Sequence, residues 1–129
     1  MKKCCVWLLT LLLIFTVCPV VLAEESPQEI VVLYTNDVHC QIETENGAGY
    51  AEAAAYKKQL QNELGENNVL LVDAGDAVQG QVFGMLSEGE SIIEIMNTAG
   101  YDLATFGNHE FDYGMVQLNK LTQMAERCV

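Results

Sequence analysis

Three short clusters in the sequence contain side chains that commonly bind divalent metal ions. Carboxylate oxygens, imidazole nitrogens and amide oxygens suit Zn²⁺, Mn²⁺ or Mg²⁺. Both histidines of the chain fall inside the clusters. The clusters are Asn36-Asp37-Val38-His39, Asp73-Ala74-Gly75-Asp76 and Gly107-Asn108-His109-Glu110. If they meet in the fold, the chemistry they indicate is the binding of divalent metal ions.

The spacing within the clusters suits a pair of ions. Asp37 and His39 are two positions apart, so in extended backbone their side chains point the same way, as two ligands of one ion require. The two oxygens of Asp76 can join two ions about 3.5 to 4 Å apart. Asn108 offers a neutral oxygen to a second ion. Taken singly, each acid or asparagine would more often be a helix cap or a turn former, and the co-occurrence of the clusters favours a metal site.

Each cluster follows a segment that is typical of a buried strand. Residues 30–34 and 69–72 are continuous apolar runs rich in β-branched side chains, and residues 101–106 form a weaker third candidate. Because ligands of parallel α/β sheets bind beyond the carboxyl ends of the strands, the clusters should converge there.

Helices are predicted between and after these strands. Residues 51–64 lack internal Gly and Pro, and Gly65 stands where a terminator is expected. Ser91 and Glu94 have capping-box spacing ahead of a helix that ends at Gly100. The last helix is expected to run almost to Val129, because residues at helical spacing form an apolar face, namely Met115, Leu118, Leu121 or Thr122, and Ala125. Alternating strands and helices predict an α/β fold with a mostly parallel sheet and crossover helices.

The beginning of the chain resembles an export signal. Lys2 and Lys3 precede an uncharged run over residues 6–23, which contains Pro19 and ends in Val-Leu-Ala. We expect a signal peptide over residues 1–23, with an uncleaved membrane anchor as the alternative because the run is just long enough to span a bilayer. Residues 24–129 would then be exported to an extracellular, periplasmic or cell-surface location.

The composition restricts the partners of the chain. Its 129 residues include 18 Asp and Glu against 6 Lys and Arg, a formal net charge of −12. Such a chain cannot attract nucleic-acid phosphates by itself, so binding to a nucleic-acid polymer is disfavoured and any phosphate it handles needs an added cation. After removal of the signal only Cys40 and Cys128 remain, which allows one disulfide at most. The length supports a single domain at most.

The three clusters together resemble the first motifs of the calcineurin-like metallophosphoesterases. The third cluster continues as Phe111-Asp112-Tyr113-Gly114, and the resemblance extends over about residues 30–126. The branch it resembles contains the bacterial 5′-nucleotidases and 2′,3′-cyclic-nucleotide phosphodiesterases. This resemblance implies that residues 24–129 are the N-terminal part of an α/β/β/α sandwich.

The resemblance also implies roles for the metal ligands. Asp37 and His39 would bind the first of two divalent ions, such as Zn²⁺, Mn²⁺ or Mg²⁺. Asp76 would bridge both ions, and Asn108 would bind the second. The implied reaction is hydrolysis of a small phosphate ester, most simply a nucleotide, by a hydroxide that the two ions activate.

Two further residues have implied catalytic roles. His109 would stabilise the phosphate in the transition state or aid departure of the leaving group, and Asp112 would orient it. A carboxylate behind an imidazole fixes the tautomer and favours the protonated form, which agrees with that assignment. Glu110 is expected to support the site or cap a turn rather than to bind metal, and the Cys40 side chain is expected to point away from Asp37 and His39.

Some parts of the family pattern are absent from the sequence. The later Gly-His motifs and the nucleotide-binding C-terminal domain have no counterpart here, and both histidines are already assigned. We therefore expect a fragment that is incomplete as an enzyme, with an unpaired sheet edge and an uncovered sheet face. The alternatives are a catalytically incomplete metal-binding module and a thiol-esterase relative with a non-nucleotide substrate. The oligomeric state is open.

Overall fold

Three parallel strands form the sheet that the sequence predicts. The computed structural model describes residues 29–42 and 49–127, so the predicted signal segment and Cys128 lie outside the described residues. The strands are β1 (Val31–Thr35), β2 (Val69–Asp73) and β3 (Leu103–Ala104). They pair in the order β1-β2-β3, with Thr35 opposite Asp73 and Asp73 opposite Ala104. This register brings the carboxyl ends of the strands to one edge of the sheet.

Four helices connect or follow the strands. They are α1 (Tyr50–Leu64), α2 (Val82–Leu86), α3 (Glu90–Ala99) and α4 (Gly114–Met124), with 3₁₀ turns at Glu66–Asn68 and His109–Phe111. The predicted helices are present, but the expected extension of the last one almost to Val129 is wrong, because α4 ends at Met124 and Ala125 has extended backbone. No helix was expected at the position of α2. No helix in the described part of the chain is long and apolar enough to cross a membrane.

The core lies on the helix-covered face of the sheet. In β2, Val69 and Leu71 are 2% and 1% exposed, and Leu71 belongs to a buried cluster with Ile92 of α3. In α4, Leu118 and Leu121 are buried as predicted, but Met115 is exposed. Burial of these apolar side chains stabilises the fold.

The opposite face of the sheet is exposed. Ile30, Val32 and Tyr34 alternate along and just before β1 and are 64%, 53% and 74% exposed, and Leu103 of β3 is 46% exposed. Side chains two positions apart share one face of a strand, so these residues form one apolar surface. The predicted uncovered face is therefore present among the described residues.

The start of α3 differs from the prediction. The capping box expected at Ser91 and Glu94 is wrong, because α3 begins at Glu90 and Ser91 already lies in its first turn. The hydroxyl oxygen of Ser87 instead accepts the Ser91 N–H at 3.2 Å. Gly89 precedes the helix in left-handed backbone with φ 88°. A Cβ at residue 89 would lie 2.8 Å from that of Val78, so the close approach of this turn requires glycine.

A largely buried ion pair between Lys57 and Asp102 lies just before β3, at the opposite end of that strand from the third cluster. The Lys57 ammonium of α1 is 2.6 Å from the Asp102 carboxylate and donates to the Gly100 carbonyl. The Asp102 carboxylate also accepts the Leu71 N–H of β2 and a hydrogen bond from Arg127. Burial opposes ionisation of Asp102, but these donors, led by Lys57, outweigh it and lower its pKa.

Candidate metal centre

The segment after β1 lies against the segment after β2. Asp37 N–H donates to the Gly75 carbonyl at 3.1 Å, and His39 N–H donates to the Asp76 carbonyl at 3.0 Å. Cys40 N–H continues the pattern by donating to the Ala77 carbonyl. The two clusters therefore meet through main-chain hydrogen bonds that extend the parallel pairing of β1 and β2.

The backbone of the first cluster is not extended. Asp37, His39 and Cys40 have φ of 53°, 48° and 60°, and Asp76 has φ of 59°. These values lie in the left-handed region, which side chains other than glycine rarely adopt and which appears frequently at functional sites. Asp37 and His39 were expected to point the same way because their backbone is extended, and that reason is wrong.

Three candidate ligands nevertheless converge. Ligand atoms of Asp37, His39 and Asp76 lie within 4.8 Å of one another. The Nε2 atom of His39 is 3.8 Å from a carboxylate oxygen of Asp37. Asn36 donates its side-chain N–H to the other Asp37 oxygen. The arrangement offers two carboxylates and one imidazole to a single ion.

The His39 ring is oriented by a main-chain carbonyl. Its Nδ1 lies 3.0 Å from the Gln79 carbonyl oxygen, which can only accept a hydrogen bond. Nδ1 therefore carries the proton in the neutral ring, and the lone pair of Nε2 faces Asp37. A hydrogen bond of this kind behind a ligand histidine fixes the tautomer that binds metal. Sequence patterns did not identify the Gln79 carbonyl, because main-chain acceptors have no residue-type signal.

Asp76 is held by the third cluster. One of its carboxylate oxygens accepts the His109 N–H at 2.8 Å. That hydrogen bond is the largest cause that lowers the pKa of Asp76, with the positive partial charge of the nearby His109 ring adding to it. The carboxylate is therefore ionised at neutral pH, as a metal ligand must be.

Two glycines allow the second and third clusters to approach this closely. A Cβ on Gly75, whose φ is 103°, would lie 2.5 Å from the Gly107 nitrogen. A Cβ on Gly107 would lie 2.3 Å from a carboxylate oxygen of Asp76. Side chains at either position would push the two loops apart.

His109 and Asp112 form the pair that the sequence predicts. Nδ1 of His109 is 2.7 Å from an Asp112 oxygen, and this hydrogen bond is the main cause that raises the pKa of His109. The His109 and His39 rings are 5.0 Å apart between centroids in an edge-to-face arrangement.

Asn108 is exposed. Its carbonyl carbon is bonded to the His109 nitrogen, which donates to the Asp76 carboxylate, so the Asn108 backbone lies beside that carboxylate. The structure thus gathers residues from all three clusters.

Two acids of the clusters turn inward. Asp73 is 4% exposed and accepts hydrogen bonds from the Thr35 hydroxyl and the Gly75 N–H. Its burial raises its pKa. Glu110 is 5% exposed and accepts only main-chain N–H groups of neighbouring loops, in line with its expected supporting role. The Cys40 side chain is fully buried and belongs to the core.

Comparison with known proteins gives one consistent result. The Calcineurin-like phosphoesterase family profile matches residues 30–125. The snake venom 5′-nucleotidase of Gloydius brevicauda is 36% identical over an alignment of 101 residues, which covers 70% of this chain and 17% of that protein. The 5′-nucleotidase of Bos taurus is 37% identical over 69% of this chain and 17% of its own length.

Structural comparison agrees with the sequence comparison. The crystal structure of the 5′-nucleotidase precursor from Thermus thermophilus superposes with a TM-score of 0.65 and 29% identity. The superposition covers 76% of this chain and 21% of that chain. The chain thus spans about a fifth of the length of the proteins it matches.

Proposed function

The chain belongs to the calcineurin-like phosphoesterase family, and from this premise we propose that it is the part of a nucleotide hydrolase that holds the metal ions. The observation that carries the proposal is the convergence of Asp37, His39 and Asp76, with ligand atoms within 4.8 Å. The family uses divalent metals, and the similarity to 5′-nucleotidases supports a nucleotide phosphate ester as substrate.

The donor set fits a first divalent ion. Two carboxylates and an imidazole are ligands that Zn²⁺ and Mn²⁺ accept, and the His39 tautomer leaves Nε2 free to bind. We assign Asp37, His39 and Asp76 to this ion. Asp76 has a second oxygen, which together with the Asn108 amide would contribute to a second ion, but these two ligands are too few to hold that ion by themselves.

The bound ions would supply positive charge for the phosphate and lower the pKa of a water molecule toward about 7. The chain itself contributes orientation and a proton donor. Gln79 keeps the His39 ring in its binding tautomer, and Asp112 keeps the His109 ring oriented and favours its protonated form. A protonated His109 would donate a hydrogen bond to the phosphate or a proton to the leaving-group oxygen.

The remaining parts of the proposal concern the cell and the domain organisation. We propose that residues 1–23 are a signal peptide and that residues 24–129 act outside the cytoplasm. The relatives include a snake venom protein and a precursor, which supports export. Small-molecule phosphate esters or nucleotides are the proposed substrates, with 5′-nucleotides and 2′,3′-cyclic nucleotides as the first to examine.

Two measurements on the full chain test this function. Binding of Mn²⁺, followed by electron paramagnetic resonance, is expected in the unsubstituted chain and lost in Asp37→Ala, while Glu94→Gln on the exposed side of α3 should bind normally. Release of inorganic phosphate from adenosine 5′-monophosphate is then measured with Mn²⁺ present. Absence of Mn²⁺ binding would contradict the metal centre. Binding without any phosphate release would favour a catalytically incomplete metal-binding module, which is the alternative that the sequence left open.

A further inference from the structure

Glu110 is a buried acid at the junction of two loops. It lies in the 3₁₀ turn His109–Phe111, and only 5% of its surface is exposed. A carboxylate in such a position is unfavourable unless hydrogen bonds offset its desolvation. Its neighbours along the chain, His109 and Phe111, are both more exposed. The side chain of Glu110 therefore points away from the open side of the metal centre.

Both oxygens of Glu110 are occupied by main-chain donors. One oxygen accepts the Gly107 N–H at 2.6 Å and the Asp76 N–H at 2.9 Å. The other accepts the Ala77 N–H at 2.8 Å and the Val78 N–H at 3.4 Å. Successive N–H groups directed at one anion form the concave arrangement known as a nest. Here the anion is a side chain of the protein itself.

These hydrogen bonds connect the loop after β2 with the loop after β3. Asp76, Ala77 and Val78 belong to the first loop, and Gly107 belongs to the second. The Asp76 carboxylate in turn accepts the His109 N–H at 2.8 Å. Each loop therefore donates main-chain hydrogen bonds to a carboxylate of the other loop, and Asp76 is both a donor and an acceptor.

The Glu110 contacts also act on the backbone of the bridging ligand. Asp76 has a φ of 59°, which a residue with a side chain adopts only when surrounding contacts enforce it. The N–H of Asp76 and those of the next two residues all point at Glu110. Together with the hydrogen bonds from the His39 N–H to the Asp76 carbonyl and from the His109 N–H to the Asp76 carboxylate, these contacts hold residue 76 in its left-handed conformation.

We propose that Glu110 is a positioning residue that sets the distance between the Asp76 carboxylate and the Asn108–His109 segment. The inference rests on the proposed function, because that distance matters only if Asp76 and Asn108 bind ions. Glu110 would not touch metal or substrate. Its effect would reach the ions through the main chain of residues 76 and 107.

The chemistry of the side chain makes the proposal testable by small changes. Glu110→Gln keeps the size but replaces one acceptor oxygen by an N–H₂ group, which would face main-chain N–H groups and repel them. Glu110→Asp keeps both acceptors and the charge but is one methylene shorter, so it cannot serve both loops fully. Asp102→Asn is the matched control, because Asp102 is also a carboxylate that accepts main-chain and side-chain donors, at the other end of the sheet.

The experiment uses the full chain and Mn²⁺ alone as probe. We expect Glu110→Gln to raise the Mn²⁺ dissociation constant about 10-fold or more, as loss of a supporting residue behind metal ligands commonly does, and Glu110→Asp to give an intermediate value. Without metal, amide hydrogen exchange should accelerate at residues 76, 77 and 107 in Glu110→Gln. Asp102→Asn should lower the thermal midpoint but leave Mn²⁺ affinity unchanged in the folded temperature range.

The outcomes separate this inference from the proposed function. Unchanged Mn²⁺ affinity, to within about twofold, in folded Glu110→Asp and Glu110→Gln would overturn the positioning role and leave the metal centre standing. If Glu110→Gln does not fold, the affinity of Glu110→Asp decides. Equal losses of affinity in Asp102→Asn and the Glu110 variants would also overturn it, because general destabilisation would then explain both. Failure of the unsubstituted chain to bind Mn²⁺ would overturn the proposed function and this inference together.

Discussion

At the scale of single residues, the candidate centre depends on partners that control protonation and direction. His39 and His109 both use Nδ1 for a hydrogen bond, but the partners differ. His39 faces the neutral Gln79 carbonyl, whereas His109 faces the Asp112 carboxylate. A neutral acceptor leaves a ring free to bind metal, and an anionic acceptor favours the imidazolium form. The two histidines therefore differ in the partner of Nδ1, although both belong to the candidate ligand clusters.

We expect Asp112→Asn to lower the pKa of His109 toward the ordinary histidine value. The hydrogen bond from His109 to Asp112 is the main cause of the raised pKa, and an amide oxygen carries no charge to stabilise the imidazolium. Proton NMR of the two ring Cε1–H signals, titrated without metal, measures the change. His39 serves as the internal control. An identical His109 titration in Asp112→Asn would contradict the pairing.

At the scale of elements, the ends of helices and strands position the site. The turn between α2 and α3 uses Ser87, whose hydroxyl donates to the Gly84 carbonyl and accepts the Ser91 N–H. The ion pair between Lys57 and Asp102 does the same just before β3, because the Asp102 carboxylate accepts hydrogen bonds from the Lys57 ammonium and the Leu71 N–H. Each element end satisfies polar groups that would otherwise be left without partners.

We expect Ser87→Ala to destabilise the chain by about 1 kcal/mol, because it removes the acceptor for the free N–H group of Ser91. Ser91→Ala is the matched control, since the Ser91 hydroxyl caps nothing in the structure and alanine favours the helix. Urea denaturation followed by circular dichroism gives both values. A larger effect at Ser91 than at Ser87 would restore the capping box predicted from the sequence.

We expect Lys57→Met to destabilise the chain by about 3 kcal/mol at pH 7, because it leaves the Asp102 carboxylate with fewer donors at a buried position. The folded state lowers the pKa of Asp102, so the contribution of this pair is present above the ordinary aspartate pKa and lost as pH falls through the lowered value. Urea denaturation at several acidic pH values should therefore show a weaker pH dependence in Lys57→Met. Lys58→Met, at an exposed neighbouring position, should match the unsubstituted chain.

At the scale of the whole molecule, one face of the sheet has no cover among the described residues. Ile30, Val32 and Tyr34 lie side by side on it, and Leu103 is exposed on β3. Exposed apolar surface of this kind promotes self-association. The chain spans about a fifth of the length of the relatives named above.

We expect the isolated chain to self-associate and the double variant Val32→Thr, Tyr34→Thr to do so less, because threonine keeps β-propensity while removing apolar area. Sedimentation velocity at several concentrations provides the measurement. Val116→Thr on α4, where the side chain is 88% exposed, is the control for a general gain in solubility. Concentration-independent monomer in the unsubstituted chain would contradict this prediction.

The sequence by itself determined the candidate ligand types, the strands that precede them and the side of the sheet where they meet. Asp37, His39 and Asp76 could be predicted because local composition and strand order are encoded along the chain. The tertiary structure decided the left-handed backbone of Asp37, His39 and Asp76, since main-chain hydrogen bonds between distant loops impose it.

The inward direction of two acids and the start of α3 were also decided by tertiary structure. Asp73 and Glu110 have the same residue types as metal ligands, yet burial and main-chain donors turn them into supports. The Ser87 hydroxyl, and not that of Ser91, accepts a hydrogen bond at the start of α3, and the turn between them packs Gly89 closely against Val78. Thr35 with Asp73, Ala77 with Glu110, and Gly89 with Val78 are contacts between residues that local spacing does not relate, which is why only the folded chain reveals them.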